Sequence, residues 1–288
     1  PPMGRTILID SLDDERLGPF RLRERELRPR HLPAPIIKGL ADADAERIHR
    51  GMFVAEGDLV VERALEAGCR PVAVLVDADA PPAVIQSFDD DVPVYAASAQ
   101  ARKVLTGLGV ALAVIALFER PAPNDAHGIL TTSRRLMIFE DVDNPTNVGA
   151  IVRSAAAFGI DGLILDRNSS DPLARRALRV SMGTIFGVPH ARVDDVPAAL
   201  ESLQRDGVVV CGLTPRSDAL PIGEVAARFE QSASMPRVAV VMGSERDGLS
   251  ARSLAAMTHR VRIPMADGVD SLNVAAAAAV ACYAIFGS

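Results

Sequence analysis

The chain has 288 residues, 49% of them hydrophobic and 24% charged, with a formal net charge of −6. That length supports two domains with cores of their own, and the acid excess argues against nonspecific coating of nucleic acid while leaving room for a local basic cleft. No apolar run reaches the roughly 18–20 residues that a membrane-spanning helix requires; the longest, 272–286, is alanine-rich and interrupted by Asn273.

No secretory signal pattern opens the chain, and Pro1 and Pro2 ahead of Met3 read as a cloning scar. Cys69, Cys211 and Cys282 are too dispersed for a metal site or a disulfide framework. Cys211 and Cys282 sit in apolar runs and read as buried thiols, which fits a reducing cytoplasm. His31, His49, His127, His190 and His259 lack metal-ligand spacing, so no metal is expected.

In chain order, residues 1–35 form a charged N-terminal extension. Arg21, Arg23, Arg25, Arg28 and Arg30 interleave with Glu24 and Glu26, and Pro29 and Pro33 cut the segment. It reads as a solvated helix or arm; the sharper alternative is an arm that touches RNA. Residues 36–120 form a small α/β unit. Strands are expected at 53–56, 72–76, 92–95 and 111–118, and helices at 59–67, 83–88 and 97–105. Residues 121–131 are rich in breakers and read as a linker.

The remainder, 132–288, reads as β-α repeats. Strands are expected at 136–139, 162–165, 208–213, 238–242 and 261–264. Helices are expected at 148–158, 172–180, 196–205, 250–257 and 272–286. Apolar strands without alternation point to a parallel sheet buried on both faces. Such a sheet binds ligands beyond its carboxyl edge.

Three polar, glycine-bearing turns follow strands and can share that edge: 144–153, 242–248 and 263–273. In the first, Asn144 and Asn147 suit a helix N-terminus, Gly149 permits close approach, and Arg153 offers a phosphate-matching guanidinium. In the second, Glu245 places a carboxylate between Gly243 and Gly248. In the third, Gly268 bends the chain, and Asp270 and Ser271 can cap the last helix. Capping explains Asn273 poorly, since a buried amide needs partners. Plain capped helices and tight turns remain the competing readings. Arg175, Arg176 and Arg179 form the best candidate patch for RNA phosphates, Arg175 and Arg179 sharing one helix face; a solvated face is the alternative.

Taken together, N-P-x-N-x-G-x-x-x-R, M-G-S-E-x-x-G and I-P-M-x-x-G-x-x-S-L-N-V are similar to the three motifs of the SpoU family of RNA 2′-O-methyltransferases, in the SPOUT superfamily. The resemblance covers roughly residues 132–288. It extends more weakly over about 45–118, where 53–57 and the following helix are similar to the family's N-terminal substrate-binding domain, which itself resembles an RNA-binding ribosomal protein. It implies an α/β fold whose parallel-sheet domain carries a deep C-terminal trefoil knot. It also implies S-adenosyl-L-methionine as cofactor, held by backbone groups at Gly243, Ile263 and Leu272, with Leu213 and Thr214 nearby. The family's polar catalytic set falls on Asn147, Arg153, Glu245, Ser271 and Asn273.

The resemblance further implies a homodimer packed partly through the last helix, acting on RNA, with rRNA favoured over tRNA. Many members have serine where this chain has Ala275. A guanidinium is a poor base, so Arg153 is read as an electrostatic stabiliser of a developing alkoxide. Asn147 and Glu245 would orient it, and Ser271 and Asn273 would hold the ribose or the loop. Two other readings stay open: a noncatalytic RNA-binding or cofactor-sensing protein, and a base methyltransferase on a related knotted fold.

Overall fold

A computed structural model describes residues 6–27, 51–107 and 109–287. In chain order the strands are β1 (Thr6–Ile9), β2 (Met52–Glu56), β3 (Pro71–Asp77), β4 (Val94–Ala97), β5 (Val114–Glu119), β6 (Arg135–Phe139), β7 (Gly162–Leu165), β8 (His190–Arg192), β9 (Val209–Leu213), β10 (Leu220–Pro221), β11 (Val238–Met242) and β12 (His259–Arg262). The α-helices are α1 (Gly18–Arg21), α2 (Asp58–Glu66), α3 (Ala99–Thr106), α4 (Ala126–Thr132), α5 (Pro145–Ala157), α6 (Arg175–Ser181), α7 (Val196–Arg205), α8 (Ile222–Glu230), α9 (Ala251–Ala255) and α10 (Val274–Phe286). The chain separates into two compact units. One is Pro1–Ala122 with Leu173–Phe186, and the other is Pro123–Pro172 with Gly187–Ser288.

The first unit is a five-stranded mixed sheet in the order β1-β4-β3-β5-β2. β1, β4 and β3 run parallel, while β5 runs antiparallel to β3 and β2. Its core includes Met52, Val54, Leu75, Ile115 and Leu117, and also Leu17, Phe20 and Leu27 from the charged N-terminal stretch. That stretch therefore departs from the expected solvated arm over residues 6–27. Its apolar residues close one side of the core, while Arg21, Arg23 and Arg25 are exposed. Arg28, Arg30, Pro29 and Pro33 lie outside the described residues.

The unit also takes in α6, expected from sequence to belong with the C-terminal repeats. Glu56, the last residue of β2, has a fully buried side chain, and Arg175 Nη2 reaches its Oε1 at 2.5 Å. Arg179 pairs with Oε2 of the same carboxylate. A buried carboxylate needs such partners. Phe186, just beyond α6, lies 5.6 Å from Phe53, which stacks on Phe118 at 5.3 Å.

The second unit is a seven-stranded, all-parallel sheet in the order β10-β12-β9-β11-β6-β7-β8. Its central strands are apolar and buried along nearly their whole length, as expected when helices cover both faces. Ile138, Ile164, Leu200, Leu203, Val210 and Val241 form part of its core. Part of the expected linker is helical: Asp125 accepts the His127 and Gly128 N–H groups and starts α4. α10 packs along α5 and α8. Among the described residues no helix is long and apolar enough to cross a membrane.

Candidate active site

Four neighbouring strands of the second unit, β12, β9, β11 and β6, are parallel, so their carboxyl ends share one edge. The three motif turns leave β6, β11 and β12 there, and Leu213-Thr214 leaves β9. The Thr214 N–H donates to the Val261 carbonyl at 2.9 Å and ties the β9 exit to β12.

The first turn ends in a capped helix. Asn144 Oδ1 accepts the Thr146 N–H at 2.9 Å, and Pro145 occupies the first helical position, where a missing N–H does no harm. Asn147 is then in the first turn of α5 and is 8% exposed. Its amide joins the other two turns. Asn147 Nδ2 donates to Glu245 Oε1, and Asn147 Oδ1 accepts from Asn273 Nδ2 at 3.2 Å. Asn273 in turn caps α10, its Oδ1 accepting the Ala275 N–H at 2.9 Å and the Ala276 N–H at 3.4 Å.

Every bond in this series points the same way. Helix N–H groups donate to Asn273, Asn273 donates to Asn147, and Asn147 donates to Glu245. The partial positive charge of a helix N-terminus is thereby relayed to a carboxylate. The cap was expected at Asp270 and Ser271. Asn273 holds it instead, because α10 begins at Val274 and only Asn273 stands next to the free N–H groups.

The second turn is shaped by backbone. A Cβ at Gly243 would lie 2.4 Å from the Gly248 carbonyl carbon and 2.5 Å from the Leu249 nitrogen, so no side chain fits. Gly248, at φ +68°, closes the turn by donating to the Ser244 carbonyl at 3.1 Å. Glu245 is exposed, and its Oε2 makes no bond among the described residues.

Two residues that hold this turn were not singled out from sequence. Glu140 follows β6; its N–H donates to the Met242 carbonyl at 2.9 Å, and its carboxylate accepts from Ser250 N, Ser250 Oγ and Ser253 Oγ at 3.0, 2.8 and 2.7 Å. It braces both ends of the Gly243–Gly248 loop. Asp143 pairs with Arg246 and links the first turn to the second. The available signal was an acid closing β6 and a Ser-x-x-Ser helix start. Nearby Asp141, at φ 60°, is pushed above the usual carboxylate range, first by burial and then by Asp166 and Asp143.

Arg153 and Ser271 stand apart from the amide series. Arg153 is six residues beyond Asn147 on α5, about 9 Å along the axis and about 120° around it. It is exposed and makes no bond among the described residues. Ser271 is likewise exposed and unbonded there. Leu272 is 40% exposed, and Ile263, Leu213 and Thr214 are half-buried at the same edge. The expected phosphate patch is divided. Arg175 and Arg179 are committed to Glu56, while Arg176 is exposed. Among the described residues no cluster of metal-ligating side chains occurs.

Residues 134–283 match the profile of the SpoU rRNA methylase family. The chain belongs to that family. An uncharacterized tRNA/rRNA methyltransferase of Mycobacterium bovis is 36% identical over 278 residues, which is 94% of this chain and 88% of the relative. A 23S rRNA (guanosine(2553)-2′-O)-methyltransferase of Bacillus subtilis is 27% identical over 242 residues, covering 84% of this chain and 91% of the relative. The AdoMet-bound rRNA methyltransferase of Sinorhizobium meliloti superposes with a TM-score of 0.75 at 22% identity, over 98% of both chains. This likeness is one of fold, and it extends through both units of the SpoU chain.

Proposed function

We propose that this SpoU family member transfers the methyl group of S-adenosyl-L-methionine to a ribose 2′-hydroxyl of RNA, with rRNA favoured over tRNA as the substrate. The observation that carries the reading is the directed amide series from α10 through Asn273 and Asn147 to Glu245. It joins all three motif turns at one sheet edge. Membership of the family supports the reaction class, and the Bacillus subtilis relative is named for the same ribose chemistry.

The residues at the edge suit the cofactor. Ile263 and Leu213, half-buried, and Leu272, 40% exposed, offer apolar surface for an adenine ring beside the Gly243 turn. When bound, the cofactor supplies a methyl group already activated on a sulfonium centre. The protein's task is then to position the ribose hydroxyl and accommodate its proton. Effective positioning contributes several kcal/mol to such a step. Glu245, fixed through Oε1, keeps Oε2 to accept from a ribose hydroxyl. Arg153, exposed and without a bond among the described residues, supplies positive charge for a developing alkoxide or an adjacent phosphate.

A homodimer accompanies this reading. Val280 (39% exposed) and Tyr283 (68%) lie on the outer side of α10, which packs beside the Arg153-bearing helix. A second copy covering that face would bring Arg153 close to an interface. The knotted topology that the family resemblance implies belongs to the same proposal.

The test pairs calorimetry with turnover. Arg153→Ala should lose methylation of total RNA while binding S-adenosylmethionine as the parent does. Nucleoside analysis of the product should show 2′-O-methyl ribose, and unimpaired turnover by the variant would refute the role. Mapping ribose methylation in rRNA and tRNA from cells with and without the gene decides the substrate.

A further inference from the structure

The turn after β11 is closed at its base by its own atoms. Ser244 Oγ accepts the Asp247 N–H at 3.0 Å, and the Ser244 carbonyl accepts the Gly248 N–H at 3.1 Å. Glu245 and Arg246 are left at the tip, and both side chains reach across to the start of α5. Glu245 takes the Asn147 amide, and Arg246 pairs with Asp143.

Asp143 is a fixed anchor for that pair. The Ser170 hydroxyl donates to its carbonyl. The preceding Val142 is held on both sides, its N–H donating to Ser169 Oγ at 3.0 Å and its carbonyl accepting the Ser170 N–H at 2.9 Å. Ser169, 3% exposed, is itself tied to Asp166 Oδ1 through its N–H at 2.8 Å. Asn144, which follows Asp143, caps α5. Ordering cost in the ion pair therefore falls on the Arg246 side chain alone.

We propose that Asp143 and Arg246 are a positioning pair that orients Glu245 for methyl transfer. The proposal rests on the reading of this sheet edge as a methyl-transfer site. A turn tied at one point can pivot about it, and the Asn147 bond alone would leave the free Glu245 oxygen without a set direction. A second tie one residue along removes that freedom, and orientation is what the reaction needs. Arg246 also offsets the mutual repulsion of Asp141, Asp143 and Asp247, so its loss pushes the two turns apart. The side chains of Asp143 and Arg246 are 46% and 77% exposed. Exposed pairs of this kind shift a local equilibrium by about two- to fivefold and add little to global stability.

The test is a double-mutant cycle on the full-length protein, with kcat read at saturating total rRNA and S-adenosylmethionine. Asp143→Asn should lower kcat by about twofold and Arg246→Gln by about two- to fivefold. KM for RNA and the melting temperature should stay as in the parent. The double variant should be no slower than Arg246→Gln, because removing Asp143 once its cation is gone only relieves repulsion. In protein without ligands, exchange of the Asp247 and Gly248 amides should quicken by similar factors in each single variant.

Losses that multiply in the double variant would overturn the proposal, as would parent-like exchange in both single variants. A raised KM for RNA in Arg246→Gln, with Asp143→Asn unchanged, would also overturn it, since Arg246 would then touch the substrate itself. Failure of the methyltransferase reading looks different. A parent that incorporates no methyl group, with exchange still faster in the variants, would sink the reaction and leave the pair as the holder of the turn.

Discussion

A methyl group added at Gly243 would sit 2.4 Å from the Gly248 carbonyl carbon, and the atoms in the way are backbone. They cannot swing aside as a side chain could, so Gly243→Ala must open the turn that carries Glu245. S-adenosylmethionine affinity in that variant should fall by at least tenfold, about 1.4 kcal/mol, as read by calorimetry on protein that remains folded. Asn147→Ala acts differently: it leaves Asn273 Nδ2 and Glu245 Oε1 without their partner while leaving the Gly243 turn intact. We expect kcat to drop about ten- to a hundredfold with a smaller change in cofactor affinity, the loss of one oriented hydrogen bond being worth roughly 1–3 kcal/mol. An equal loss in both constants would mean that Asn147 only holds the loop. The cysteines take no part in this chemistry. Burial pushes Cys211 and Cys282 up to about 12 and Cys69 up to about 11, so a thiol reagent at neutral pH should label none of the three until the protein is unfolded.

At the level of elements, the pairing of β2 with α6 depends on a carboxylate that has no access to water. Removing one partner of such a buried pair typically costs about 3–5 kcal/mol, so Glu56→Ala should show a clear loss in denaturant titration. On β12, His259 is held below its ordinary value of 6.5, first by burial and then by Arg228 on α8. The unfolded chain therefore takes up a proton near pH 6.5 that the folded chain refuses. Stability contributed by the neutral imidazole is present above that pH and is lost as pH falls below it; His259→Gln should flatten this part of the stability profile. The elements also differ in how plainly the sequence announced them. β7, β11 and, after Arg135, β6 are unbroken apolar runs ending at polar turns, and α7 starts at Asp195-Val196-Pro197, so their places were legible. β8 and β10 have three and two residues, too few for any period. The Leu17, Phe20 and Leu27 contribution was hidden among charges. The three motif turns were visible as chemistry, but the bond from Asn147 to Asn273 spans 126 residues, and only folding reveals which amide donates to which.

For the whole molecule, the informative feature is that the two compact units are not two consecutive stretches of chain. Residues 173–186 leave the second unit's sequence to join the first, because Glu56 and the Phe53 ring supply what Arg175, Arg179 and Phe186 need. No local pattern reports this: 172–180 reads as one more helix of a β-α series, and its partners lie more than a hundred residues earlier. Cutting the chain where the sequence shows a linker therefore separates α6 from its packing. A fragment spanning 123–288 keeps every motif residue, yet it leaves Ala177 and Leu178, both fully buried in the intact chain, without the β2 face that α6 packs against. Such a fragment should be cleaved rapidly within 173–186 by a protease that spares this segment in the full chain. It should also melt earlier or aggregate, even though its seven-stranded sheet is complete. Protection of 173–186 in the fragment, with an unchanged melting temperature, would show that α6 is held by the second unit and would remove the basis for assigning it to the first.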